Sequence, residues 1–248
     1  MTETLAFGSL AAGVGGIDIG FELAGMICAW QVEISDFCIA ILNKRWSEVE
    51  KFRDIRDCGA HNLAPVDVIV GGIPCQPFSQ AGKRRGGEDD RNLWPEMARI
   101  VSEIRPAWVV VENVPRIRNI YLDKILSDLE DLDYTGATLG IPACAIGAPH
   151  LRERYFVVAY TKEHCVGTRL RESEQAKERK RRFSDRSSTL GRRWPPEPDV
   201  GRVRYGVSSR VERLTAIGNA VVPQVAELIG SLIMASEIEM RARNDTSN

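Results

Sequence analysis

Five short apolar runs punctuate the first 160 residues of this 248-residue chain: Leu5–Leu10, Met26–Val32, Val66–Val70, Ala107–Val111 and Tyr155–Tyr160. Each is rich in β-branched or aromatic residues and too short for a stable helix, so each is expected to be a buried strand. Between them Ile17–Leu23, Phe37–Lys44, Leu93–Ile104 and Ile120–Leu132 carry apolar residues at helical spacing. Strands separated by helices pair in parallel through crossovers, which predicts an α/β fold with a doubly wound, mostly parallel sheet. From Thr161 to Tyr205 the alternation stops, and Arg, Ser, Glu and Pro replace core-forming residues. Apolar order returns from Arg210, and Val222–Met240 reads as a helix packing back onto the sheet. The expected organisation is therefore a core of residues 1–160 and 211–248 around a small basic inserted lobe, 161–210.

Composition narrows the function. The six cysteines include no Cys-x-x-Cys pair, so neither a structural zinc site nor a disulfide framework is expected, and no metal. There is no basic-then-apolar leader and no apolar run near the roughly 20 residues that cross a bilayer. A cytoplasmic protein with reduced thiols and no membrane contact is the expectation. The net charge of −1 conceals an asymmetry: Thr161–Arg213 holds 15 Lys/Arg against 8 Asp/Glu. A basic segment on an acidic body is expected to face a polyanion, although a charge run taken alone is more often a solvated loop.

Chemistry-bearing residues gather at the predicted strand ends, where open α/β sheets build their sites. Gly13, Gly15 and Gly16 follow the first strand and open the first helix. There they let backbone approach a ligand and leave amides at a helix N-terminus. Glu33 ends the second strand, a common place to accept bonds from ribose hydroxyls. Asp54-Ile55 is expected to reach the amino group and ring of an adenine. Pro74-Cys75-Gln76, with Gly71-Gly72 before it and Phe78-Ser79 after, puts a cysteine in a proline-restrained turn. Glu112-Asn113-Val114 closes the fourth run, and Arg152-Glu153-Arg154 precedes the fifth. Singly, each has an ordinary explanation as a cap, a turn or an inert thiol. The order in which they occur together is harder to obtain by chance.

That order resembles the cytosine-5 DNA methyltransferases. Pro74-Cys75-Gln76 looks like their nucleophile loop, Glu112-Asn113-Val114 their acid motif, and Arg152-x-Arg154 their arginine pair. Ala216-Ile-Gly218-Asn219-Ala220-Val-Val222-Pro223 matches their closing segment. The resemblance implies a Rossmann-like S-adenosylmethionine-dependent core and transfer of a methyl group to C5 of a flipped-out cytosine. Cytosine C5 is a poor nucleophile, so thiolate addition at C6 must first convert it to an enamine-like carbon. Cys75 would be the nucleophile, Glu112 would share a proton with N3, and Arg154 and Arg152 would carry charge near O2. Gly13, Gly15, Gly16, Glu33, Asp54, Ile55, Pro74, Leu93 and Asn219 would hold S-adenosylmethionine. Gln76, Ser79, Arg179, Lys180, Arg181, Arg182, Arg192 and Arg193 would meet DNA. Two positions depart from the family pattern: Ala11 stands where an aromatic residue is usual, and His150 where glutamine is usual. The recognition region, of about 55 residues, is short. The implied partners are double-stranded DNA and a cognate restriction endonuclease, with a monomer acting on the nucleoid in restriction-modification or phage DNA protection. Three rival readings stay open: a transfer-RNA cytosine methyltransferase of the same fold, a catalytically weak DNA-binding relative, and a nicotinamide dehydrogenase. The last explains the glycines but gives Cys75 no role.

Overall fold

The computed structural model describes residues 4–72, 92–162 and 209–246, with side chains as far as Arg241. The strands are β1 (Ala6–Leu10), β2 (Ile27–Val32), β3 (Glu50–Phe52), β4 (Val68–Gly72), β5 (Trp108–Asn113), β6 (Tyr134–Ile141) and β7 (Arg154–Thr161). The α-helices among the described residues are α1 (Gly16–Leu23), α2 (Asp36–Arg45), α3 (Trp94–Ile104), α4 (Leu122–Asp131), α5 (Arg210–Asn219) and α6 (Pro223–Thr246). All seven strands form one sheet in the order β3-β2-β1-β4-β5-β7-β6. The pairs β1–β2, β1–β4, β2–β3 and β4–β5 are parallel, and β7 runs antiparallel between β5 and β6. This is a doubly wound, mostly parallel sheet of the Rossmann-like kind. Strand order reverses between β1 and β4, so the crevice at their carboxyl ends is where such a sheet accepts a ligand.

Alternation along the strands builds two cores. Ile69, Val109, Val111 and Val157 point to the face covered by α3 and α4, where Trp94, Met97, Ile100 and Ile125 are buried. Val68, Val70, Val110, Phe156 and Val158 point to the opposite face, against α1, α2 and α6. Covered on both sides, β5 has no exposed position, and its first four residues, 108–111, read as a continuous apolar run. Helix α1 meets α6 closely because Gly20 has no side chain: a Cβ there would lie 2.4 Å from the Pro223 carbonyl oxygen.

Two strands and a helix escape the apolar pattern. β3 is a three-residue edge strand with two charged residues. β6, Tyr-Thr-Gly-Ala-Thr-Leu-Gly-Ile, is an edge strand paired only to β7, with Tyr134 its one buried residue. α5 buries only Ala216 fully. Within Arg210–Arg241 one 18-residue window has a mean hydropathy of 1.4, apolar enough to cross a membrane. The buried residues Val225, Ala226, Ile229 and Ile233 of α6 pack within the second core, as those of a core helix do.

Candidate active site

Every sequence-expected site residue within the described regions stands at or near the carboxyl end of β1, β2, β4 or β5, or on the segments that close over it. The turn after β1 holds three residues at positive φ: Ala11 at 51°, Gly13 at 58° and Gly15 at 78°. Gly15 caps α1 and presses on the Trp46 ring, which a Cβ would meet at 2.5 Å. It therefore supports the turn without lining the cleft. Gly13 is the reverse, since a Cβ there would meet nothing within 4 Å. Its amide donates to Glu33 Oε2 at 2.7 Å, and the Ser35 amide donates to Glu33 Oε1 at 2.8 Å. Glu33 is thereby fixed one residue beyond β2, with lone pairs left over for a ligand's hydroxyls. Asp54 caps the 3-10 turn Ile55–Asp57 through the Arg56 amide at 3.0 Å and pairs with the Arg56 guanidinium at 3.3 Å.

The second half of the site is a buried ion pair. Glu112, the fifth residue of β5, is 6% exposed. Arg154, the first residue of β7, brings Nε to 2.9 Å from Glu112 Oε1. That oxygen is enclosed and meets the guanidinium as an ion pair. Burial pushes the Glu112 carboxyl up to about 7, with Arg154 and then Arg152 pulling the other way. A buried acid poised near neutrality is what a proton donor needs. Gly72, the last residue of β4, pairs with Glu112 across the sheet, and a Cβ on it would approach Glu112 Oε2 to 3.3 Å.

Arg152 is the main revision to the sequence expectation. It does not line the cleft. With φ at 21°, it turns its guanidinium onto the carbonyls of Ile217 at 3.0 Å, Gly218 at 2.7 Å and Ala220. A cation on the last carbonyls of a helix is favoured both by hydrogen bonding and by the helix dipole. Arg152 thus ties the approach to β7 to the α5–α6 corner that carries Asn219. Arg152→Met is expected to lower stability by roughly 1–3 kcal/mol, the scale of lost charge-assisted bonds. It should also weaken cofactor uptake several-fold by releasing the corner, which thermal unfolding and cofactor titration of the same variant would measure.

A cleft of about 630 Å³ joins the two halves, lined by Gly13, Gly16, Glu33, Asp54, Ile55, Leu93, Glu112, Arg154 and Asn219 among others. Pro74, Cys75, Gln76 and Ser79 lie outside the described residues, as do Arg179, Lys180, Arg181, Arg182, Arg192 and Arg193. Cys28, Cys38 and Cys58 are buried, and burial pushes each thiol up, the reverse of what a nucleophile requires. Cys144 is exposed but does not line the cleft. Sequence reasoning missed Ser35 and the buried partners Ser9 and Gln31. The only trace of that buried layer is an acid, Asp18, between two isoleucines in the first turn of α1.

Comparison with known proteins speaks to the family and the fold. The family model for C-5 cytosine-specific DNA methylase matches residues 5–195. Type II methyltransferase M1.ScrFI of Lactococcus lactis subsp. cremoris is 35% identical over 160 residues, which are 62% of this chain and 41% of that protein. Type II methyltransferase M.DsaV of Dactylococcopsis salina is 34% identical over 163 residues, 64% of this chain and 46% of that protein. The chain thus spans less than half the length of these relatives. Among solved structures, an E. coli prophage protein described as a DNA modification methyltransferase superposes with TM-score 0.58 at 30% identity, over 67% of this chain and 49% of that one. Spodoptera frugiperda DNMT2 shares the fold with TM-score 0.52 at 20% identity, over 64% of this chain and 50% of that one. From strand order to the Glu112–Arg154 pair and the residues matched, the chain belongs to the C-5 cytosine-specific DNA methylase family.

Proposed function

We propose that the protein transfers a methyl group from S-adenosylmethionine to C5 of cytosine in double-stranded DNA through a covalent bond between Cys75 and C6. The observation that carries this reading is the buried Glu112–Arg154 pair, opening on the same cleft as Glu33 and the Gly13 turn. Cofactor and base would then meet across the β1/β4 crevice. The residues present fit the cofactor. Glu33 would accept from the ribose hydroxyls, Ile55 would pack on the adenine with Asp54 beside it, and the open space over Gly13 admits close approach of the ligand. When bound, S-adenosylmethionine supplies the electrophilic methyl group.

The remaining work falls to the chain. The Cys75 thiolate would add to C6 while Glu112 gives a proton to N3 and Arg154 holds charge near O2. C5 would then take the methyl group, and loss of its proton with expulsion of the thiolate would restore the aromatic ring. Residues 1–160 and 211–248 would form the catalytic unit, and 161–210 a reduced recognition region that grips the duplex while the base is extruded.

Expression in a host lacking cytosine methylation, followed by sequencing of its DNA for 5-methylcytosine, tests the assignment. A discrete methylated sequence is expected. Unmodified DNA beside newly methylated transfer RNA would give the reaction to RNA instead. The recognition region has its own test. Neutralising Arg179, Lys180, Arg181 and Arg182 together should reduce the slope of log affinity against log salt by up to about 3–4, through lost counterion release. Duplex titrations at several salt concentrations would show it, and an unchanged slope would place DNA contact elsewhere.

A further inference from the structure

A buried polar layer lies beneath the cofactor end of the cleft and has no part in the chemistry above. Asp18 is wholly enclosed. Its Oδ1 accepts from Gln31 Nε2 at 2.7 Å and its Oδ2 from the Ser9 hydroxyl at 3.2 Å, while Cys28 Sγ lies 3.9 Å from Oδ1. Ser9 on β1 and Gln31 on β2 are buried as well, at 2% and 0% exposure. Residues two apart along a strand share a face. Gln31 therefore sits one repeat below Glu33, and Ser9 one repeat below Ala11 in the turn that presents Gly13. The charged and titratable groups acting on this layer are Glu22 from α1 itself, Lys51 from β3 and the Cys28 thiol from β2. Donors from Gln31, Ser9 and Cys28 address the Asp18 carboxylate, an arrangement that satisfies its ionised form. The remaining polar atom, Gln31 Oε1, is buried without any donor.

We propose that Asp18 is a positioning residue for the cofactor: its ionised carboxylate draws α1, β1 and β2 together and holds the Gly13 turn and Glu33 in binding geometry. The inference rests on the cofactor assignment above. A neutral Asp18 carries a proton that finds an acceptor in Ser9 Oγ or in a turned Gln31 amide, and either one then gives up the donor that held the carboxylate. Protonation therefore rearranges the layer and loosens the turn above. Burial pushes the Asp18 carboxyl up to about 6, with the hydrogen bonds from Gln31 and Ser9 opposing, so the change falls just below neutrality. The sign separates positioning from mere support. A carboxyl raised in the folded state contributes stability that is present at low pH and lost as pH rises through about 6. Acidification should thus strengthen the fold at Asp18 while weakening cofactor uptake. A residue that only supported the fold would move both the same way.

Equilibrium dialysis of radiolabelled S-adenosylmethionine against the full chain between about pH 5 and 8 tests this. Wild type should lose affinity by about tenfold below pH 6, the scale of one lost buried hydrogen bond. Asp18→Asn should bind about tenfold more weakly at every pH, with no acid dependence, an unchanged rate at saturating cofactor and an undiminished unfolding temperature. Gln31→Met, which removes a donor while leaving Asp18 in place, should weaken binding as well and serves if Asp18→Asn fails to fold. Wild-type affinity retained by Asp18→Asn, or by Gln31→Met if it alone folds, overturns the inference and spares the cofactor assignment. A wild type that takes up no S-adenosylmethionine at any pH overturns both.

Discussion

Cys75→Ser is expected to lose methyl transfer by about 10⁴-fold or more, the scale seen when a covalent nucleophile is removed. A serine hydroxyl at neutral pH is overwhelmingly protonated and a far weaker nucleophile toward C6 than a thiolate. Without the adduct, C5 stays too electron-poor to attack a sulfonium methyl. Cofactor affinity should change little, because the residues that would hold the ribose and adenine, Glu33 and Ile55, stand just beyond β2 and in the turn after β3. Single-turnover transfer with parallel cofactor titration separates the two effects. The described thiols offer no substitute, since Cys28, Cys38 and Cys58 are buried and Cys144 stands off the cleft.

Glu112→Gln should lower the transfer rate by about 10²–10⁴-fold, the usual contribution of a positioned acid or base, while leaving DNA affinity nearly intact. Glu112 would act on N3 as charge develops, so its loss belongs in the transition state. An equal loss in rate and binding would reduce it to structural support for Arg154. The pH dependence carries a second signature. Because burial raises the Glu112 carboxyl to about 7, the donor form predominates below that value and transfer should decline as pH climbs through it. The same raised value means that Glu112 contributes stability at acid pH, lost as pH rises from the ordinary carboxylate range through about 7. Glutamine, which does not titrate, should flatten both trends. Rate and unfolding profiles of wild type and variant across this range would show them.

The reach of the sequence was uneven for physical reasons. Strands β1, β2, β4, β5 and β7 were legible because burial on both faces forces continuous apolar runs, and Val109-Val110-Val111 has no polar member to interrupt it. β3 and β6 were not, because an edge strand has less to bury and tolerates Glu50, Lys51, Gly136 and Gly140. The strand-end residues Glu33 and Glu112 were legible because a carboxylate directly after an apolar run costs energy unless something there uses it. The use made of Arg152 was not. An Arg-x-Arg spacing says nothing about which guanidinium meets Glu112 and which turns onto the carbonyls of Ile217, Gly218 and Ala220, a contact spanning more than sixty residues. The layer of Ser9, Asp18 and Gln31 was equally hidden, since its members come from three elements and form a unit only once α1 lies across β1 and β2.

The central claim, covalent activation of cytosine by Cys75, is tested most directly with duplex DNA carrying 5-fluorocytosine at the methylated position found by sequencing. Fluorine at C5 cannot leave as a proton does, so the adduct should persist after methyl transfer. Wild type is expected to give a denaturation-resistant protein–DNA complex that requires S-adenosylmethionine, whereas Cys75→Ser should give none. A complex formed equally by Cys75→Ser, or full methylation of the unsubstituted target with no trapping on the fluorinated one, would contradict the account.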